Sequence, residues 1–215
     1  YNKDYCKVYV KNQIETDFNY YQNTIVKYKN IYNRLSKRFN KLNNSFEAIK
    51  RMPYGEEPDL DVVVESFAEI KSGKTPTENT YIAKQKKRKD LSLLFLTDVS
   101  LSTDAYTSGK RILDVEKQSL IIFGEVLNQN NIRFQVDTFS SRTRNFCEYI
   151  TQKSFEDSWN KTKGKIGKYE PKGYTRIGPA LRHATKLISK EKSRKEWIVL
   201  LSDGKLNDYD KNHFS

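Results

Sequence analysis

Cysteine and histidine are nearly absent from this chain, with two of each in 215 residues. Cys6 and Cys147 stand far apart and without Cys-x-x-Cys spacing, so neither a zinc motif nor a disulfide framework can be drawn from them. Two free thiols are compatible with a reducing compartment. His183 has no second His or Cys at ligand spacing and reads as a structural or surface residue. Long hydrophobic runs are missing as well. No stretch approaches the ~18 apolar residues of a membrane span, and no signal-peptide pattern opens the chain, so cytoplasm is the expected compartment. The Gly-x-x-x-x-Gly-Lys-[Ser/Thr] phosphate loop is absent, and the chain is not expected to hydrolyse ATP itself. A Gly-x-Ser-x-Gly nucleophile elbow is absent too.

What is present in excess is basic charge. Lys and Arg number 39 against 27 Asp and Glu, a formal net charge of +12. Such a balance favours acidic partners, whether nucleic acid, anionic lipid or protein. The basic residues are dispersed among acidic ones, however, and the densest run (Lys84, Lys86, Lys87, Arg88, Lys89) is short. That pattern reads first as a solvated surface. Without an interleaved aromatic-basic RNA motif, nucleic acid is not the expected partner. Hydrophobic residues make up 36% of the chain, and aromatics 13%, which suits one compact core beside a long polar, helical portion.

Residues 1–16 are mixed in pattern. From Asp17 to Arg51, Ile25, Tyr28, Tyr32, Leu35, Phe39, Leu42, Phe46 and Ile49 alternate steps of three and four, a heptad pattern that no Gly or Pro interrupts. One long helix with a narrow apolar seam is expected there, packed on another part of the chain or on a partner. Pro53, Gly55 and Pro58 end it. A short helix with Leu60, Val63, Val64 and Phe67 follows Asp59. A domain boundary is expected near Lys89, dividing a helical N-terminal region over 1–89 from a second domain over 90–215. Beyond it the grammar changes. Leu91 to Thr97 is a continuous apolar run, as in a strand buried on both faces. Helices are expected over 112–128, 155–168 and 177–189. Strands are expected over 132–139, 146–150 and 196–202, the last also buried. Alternating strands and helices predict an α/β, doubly wound, mostly parallel sheet.

In such sheets ligands bind beyond the carboxyl ends of strands, where strand order reverses. Two apolar strands here end in polar residues: Asp98-Val99-Ser100-Leu101-Ser102 after the first, Ser202-Asp203-Gly204 after the last. Gly173-Tyr174-Thr175 lies between them in sequence. These groups offer carboxylate and hydroxyl oxygens only, with no Cys or His nearby, a set that suits magnesium or manganese. Asp104, Asp208 and Asp210 add carboxylates close by, Tyr174 and Arg176 flank Thr175, and Ser140 to Arg144 follow a strand end. A phosphohydrolase would want Asp-x-Asp, and position 100 is Ser.

Asp98-x-Ser100-x-Ser102 followed by Thr175 and Asp203 resembles the metal-ion-dependent adhesion site of von Willebrand factor A domains. The resemblance implies that Ser100, Ser102 and Thr175 touch the metal, that Asp98 and Asp203 act largely through water on it, and that a partner carboxylate completes the shell. Residues 97–104, 173–184 and 203–210, together with Pro53-Tyr54-Gly55-Glu56-Glu57 and Asp59-Leu60-Asp61, are similar to the NorD-type nitric oxide reductase activation proteins. That family implies a protein-binding adaptor, not an enzyme. It would pair with a MoxR-type AAA+ ATPase and remodel, activate or metallate a target enzyme that presents an acidic residue to the metal. Nitric oxide reductase is the expected target. Activation of another enzyme such as Rubisco, or a nucleic-acid-binding A-type protein, are the alternatives. A complete A-type domain would need about two more strands after Asp210, so the C-terminal part of the sheet is expected to be missing.

Overall fold

The computed structural model describes residues 6–43, 46–86, 90–143 and 145–204. In chain order its elements are β1 (Lys7–Asn12), α1 (Phe18–Lys27), α2 (Lys29–Asn43), β2 (Phe46–Met52), β3 (Glu57–Pro58), α3 (Leu60–Lys71), β4 (Tyr81–Lys86) and β5 (Leu91–Asp98). A 3-10 turn (Leu101–Asp104) and the short strands β6 (Tyr106–Thr107) and β7 (Lys110–Arg111) lead into α4 (Ile112–Gln129). Then come β8 (Arg133–Thr143), β9 (Phe146–Lys153), α5 (Trp159–Thr162) running into a 3-10 turn (Lys163–Gly167), α6 (Ile177–Ile188) and β10 (Lys195–Leu201). The chain divides into two compact units, residues 1–36 with 90–215, and residues 37–89.

The larger unit is the expected α/β fold. Its sheet has the order β1-β9-β8-β5-β10, and every neighbouring pair is parallel except β8 with β9. β5 is buried over almost its whole length, as its unbroken apolar run requires. Leu94 and Leu96 pack with Phe139 and Tyr149 against Ala180, Ala184 and Ile188 of α6. α4 offers a second buried stripe in Leu113, Leu120, Ile121, Val126 and Leu127, each worth about 1.5–3 kcal/mol of gross burial. Gly124 on the same helix leaves room for the Trp159 indole; a Cβ there would lie 2.4 Å from the ring. Trp159 in turn stands edge-on to Phe134 and donates Nε1–H to Glu125.

Several sequence expectations are corrected. The single helix over 17–51 is two helices and a strand. Asp17 caps α1 by accepting from the Tyr20 N–H, and the backbone leaves helical geometry at Tyr28 (φ −110°, ψ 23°). From Phe46 the chain pairs antiparallel with β4, so Ile49 faces Ala83 across a ladder instead of extending a seam. Asn43-Asn44-Ser45 carries the residue types that compete with helical hydrogen bonds. The seam as far as Leu35 packs within the larger unit: Tyr28 and Tyr32 hydroxyls donate to Gln118 and Gln129 of α4, and Leu35, with the neighbouring Ile31, lines a cleft with Val115 and Phe123. Residues 7–12, unreadable in sequence, form an edge strand of the main sheet, parallel to β9, with Tyr9 stacked on Phe146. Lys84 and Lys86 belong to β4; Lys87, Arg88 and Lys89, where the boundary was expected, lie outside the described residues. The helix expected over 155–168 is one α-helical turn followed by a 3-10 turn.

The smaller unit is a three-stranded antiparallel sheet, β2-β4-β3, with α3. Val62 and Ser66 are the buried residues of α3, while Leu60, Val64 and Phe67 lie exposed, the reverse of the face expected from their spacing. β10 also departs from expectation. It is the last strand of the sheet among the described residues, and Trp197 is 58% exposed. No helix among the described residues is long and apolar enough to cross a membrane.

Candidate metal centre

The topology places the site. β5 continues through α4 to β8 on one side, while the later chain passes through α6 to β10 on the other. Strand order therefore reverses at β5, and a crevice opens beyond its carboxyl end. Asp98 closes β5, Ser100 follows in extended geometry at the start of the 3-10 turn, Ser102 lies on that turn, and Ser202 and Asp203 follow β10.

Thr175 arrives from the segment before α6, and backbone pairing holds that segment down. Tyr174 exchanges both main-chain hydrogen bonds with Ser141 (2.7 and 2.8 Å), whose hydroxyl also donates to the Tyr174 carbonyl. Lys172 N–H donates to the Val99 carbonyl, and Leu101 N–H to that of Gly173. Gly173 has φ +70°, and a Cβ there would sit 2.2 Å from the Ser141 carbonyl oxygen, so only glycine fits. Lys172 Nζ reaches the buried Glu148 at 2.6 Å, which Lys11 of β1 also engages. These two ammonium groups hold Glu148 below the usual carboxylate range despite its burial.

The five sequence-named residues converge. Asp98 is fully buried; one carboxylate oxygen accepts from Ser100 N–H (2.8 Å), the other from the Thr175 hydroxyl (2.9 Å). Thr175 Oγ1 also lies 2.7 Å from Ser100 Oγ, which is 2.9 Å from Ser102 Oγ. A threonine hydroxyl has one proton, and the carboxylate takes it, so Ser100 donates to Thr175. The result is a hydroxyl chain from Ser102 through Ser100 and Thr175 to Asp98. Ser202, named in the sequence as a strand-end residue but not among the five expected ligands, adds a longer contact to Asp98 at 3.4 Å. Burial pushes the Asp98 carboxyl upward; its hydrogen bonds oppose that, and repulsion from the nearby Asp203 reinforces it.

Other residues weighed in the sequence fall elsewhere. Asp104 pairs with Arg111 at 2.6 Å and is exposed. His183 stands edge-on to Tyr149, with burial and then Lys186 and Lys190 lowering its basicity, as suits a structural residue. Ser140 and Ser141 are buried within β8 instead of forming a loop, and Ser141 borders the site through Tyr174. Arg144, Asp208 and Asp210 lie outside the described residues.

One residue near the site escaped sequence reasoning. Glu116 of α4 is 9% exposed, and its Oε2 has no hydrogen-bond partner. Burial first, then Asp98 and Asp203, push its carboxyl up to about 8. The available signal was a charge on the buried stripe of α4, between Leu113 and Leu120.

Among the described residues no three His, Cys, Asp or Glu side chains cluster tightly enough to chelate an ion by themselves. The donors here are mostly hydroxyls around one buried carboxylate. Their oxygens retain lone pairs, their neighbours are repelling carboxylates, and one buried carboxylate oxygen is unsatisfied. A hard divalent cation fits that chemistry.

The family model described as VWA domain containing CoxE-like protein matches residues 33–214. Protein NorD of Brucella abortus is 34% identical over 183 residues, which is 85% of this chain and 29% of that protein. Protein NorD of Stutzerimonas stutzeri is 34% identical over 179 residues (82% and 29%). An uncharacterised protein of Pseudomonas aeruginosa is 31% identical over 179 residues (82% and 29%). The chain thus spans about 29% of the length of the curated relatives it matches. Among solved structures, the PilB minor pilin from Streptococcus sanguinis aligns with a TM-score of 0.48 and 24% identity over 57% of this chain and 33% of that one.

Proposed function

The chain belongs to the family of CoxE-like proteins containing a VWA domain, and on that premise we propose that it is a cation-dependent protein-binding module of a NorD-type accessory factor. Asp98, Ser100, Ser102 and Thr175, with Asp203, would hold magnesium or manganese. The bound ion would supply an electropositive anchor for a carboxylate of the target protein. The role of this chain's residues is to present hydroxyl oxygens on a rigid turn, hold Asp98 dry, and fix Thr175 through the Ser141–Tyr174 pairing. On this reading the chain is a binder and not a catalyst. It acts in the cytoplasm with a MoxR-type AAA+ ATPase, and the target enzyme we favour is nitric oxide reductase.

The observation that carries the proposal is the continuous oxygen chain Ser102–Ser100–Thr175–Asp98, built from two segments more than 70 residues apart in sequence. The test is co-precipitation from source-cell lysate with the full-length protein, in magnesium, in EDTA, and with Asp98→Ala. Recovery of an AAA+ ATPase and a large enzyme subunit is expected, with the enzyme lost in EDTA and with Asp98→Ala. Binding of the same proteins regardless of metal would overturn the proposal.

A further inference from the structure

α4 buries two charged side chains among its apolar ones, Glu116 and Lys117, and their surroundings differ: Lys117 Nζ donates to the Gly167 carbonyl and pairs with Glu170, whereas Glu116 Oε2 has no hydrogen-bond partner. A glutamate so placed takes a charge out of water, which is costly unless a partner offsets it. Here Oε2 accepts no hydrogen bond, and the charges that bear on the group are the carboxylates of Asp98 and Asp203. An unpaired buried acid facing two further acids is disfavoured by the fold alone. It becomes favourable when a cation stands among them. α4 also abuts the 3-10 turn that carries Ser102.

We propose that Glu116 is the inner counter-charge of the cation site, a third carboxylate whose negative charge sets how tightly the site holds a divalent ion. It acts through its field on the donors, since among the described residues no three acids are close enough to chelate together. Groups of this kind behind a metal's direct ligands typically change affinity by about 10–100-fold. The inference rests on the cation-site reading above and extends it to a residue that the Asp-x-Ser-x-Ser pattern does not contain.

The test is magnesium titration by calorimetry on the full chain, with thermal melting in EDTA alongside. The proteins compared are wild type, Asp98→Ala, Glu116→Gln and Glu116→Asp. Wild type is expected to bind magnesium and Asp98→Ala to lose it. Glu116→Gln should bind at least about 10-fold more weakly, yet melt no lower than wild type in EDTA at neutral pH, because without a cation the buried carboxyl is largely protonated and Gln replaces it with a neutral group of similar shape. Glu116→Asp, which keeps the charge, should retain clearly more affinity than Glu116→Gln. Wild-type affinity in Glu116→Gln, or equal affinity in the Gln and Asp variants, would overturn this inference and leave the cation site standing. Absence of magnesium binding in wild type would overturn the site reading itself, and this inference with it.

Discussion

Asp98 and Asp137 are both fully buried carboxylates on neighbouring strands, and their surroundings give them different work. Asp98 shares its oxygens with the Ser100 amide and the Thr175 hydroxyl at the sheet's end. Asp137 lies deeper, where Tyr149 O–H and Gln135 Nε2–H both donate to one oxygen at 2.6 and 2.7 Å, and the other oxygen has no partner. Burial outweighs those hydrogen bonds and pushes its carboxyl up to about 7. The folded protein therefore keeps a proton there that the unfolded chain, titrating near 3.8, has already released. Stability contributed by that proton is intact at low pH and falls as pH rises from about 4 to about 7. In EDTA, Asp137→Asn should flatten this dependence, gaining about 1 kcal/mol or more relative to wild type at pH 8 over its effect at pH 5. Parallel pH–melting profiles for the two proteins would refute the assignment. Glu116 slopes the same way in both, so the difference isolates Asp137.

At the scale of elements, the segment from Pro171 to Arg176 decides whether Thr175 reaches Asp98. It has no regular structure of its own, and its geometry is imposed by Val99, Leu101 and Ser141. Gly173→Ala would place a methyl against the Ser141 carbonyl in a left-handed conformation, costing about 1–3 kcal/mol. The variant should keep its far-UV circular dichroism, melt lower, and lose most of the stabilisation that magnesium gives wild type. Undiminished stabilisation by magnesium would show that the segment does not deliver Thr175. This dependence on tertiary pairing marks the limit of what the sequence could tell. The apolar run of β5 and the polar residues after it were legible because a strand buried on both faces leaves a direct signature, and Asp98, Ser100 and Ser102 follow it in order. Ser141 and Ser202 were legible only as polar residues at strand ends bordering the site, because the contacts they make, to Tyr174 and to Asp98, depend on which strands end side by side. The heptad through Ile49 misled for a related reason. Apolar spacing says nothing of hydrogen-bond partners, and β2 forms because β4, more than 30 residues later, supplies its hydrogen bonds. Glu116 was legible only as one of two adjacent charges, with Lys117, on a mostly apolar stripe.

Across the whole molecule, the unit made of residues 1–36 and 90–215 draws its edge strand β1 and the α1–α2 support of α4 from the start of the chain, and its crevice from the end. Residues 37–89 form a separate compact unit in between. The chain carries a net charge of +12, whereas the charged side chains named at the crevice are acidic, and that contrast suits a cation bound within it and an acidic partner docking over it. The proposed function has the carboxyl end of β5 bind a divalent cation. Its most direct test is a magnesium titration followed by backbone amide shifts in an isotope-labelled chain. The account predicts saturable shifts concentrated at Asp98 to Thr103, Lys172 to Arg176 and Ser202 to Gly204, all abolished by Asp98→Ala. Saturable shifts centred elsewhere, or none at millimolar magnesium, would contradict it.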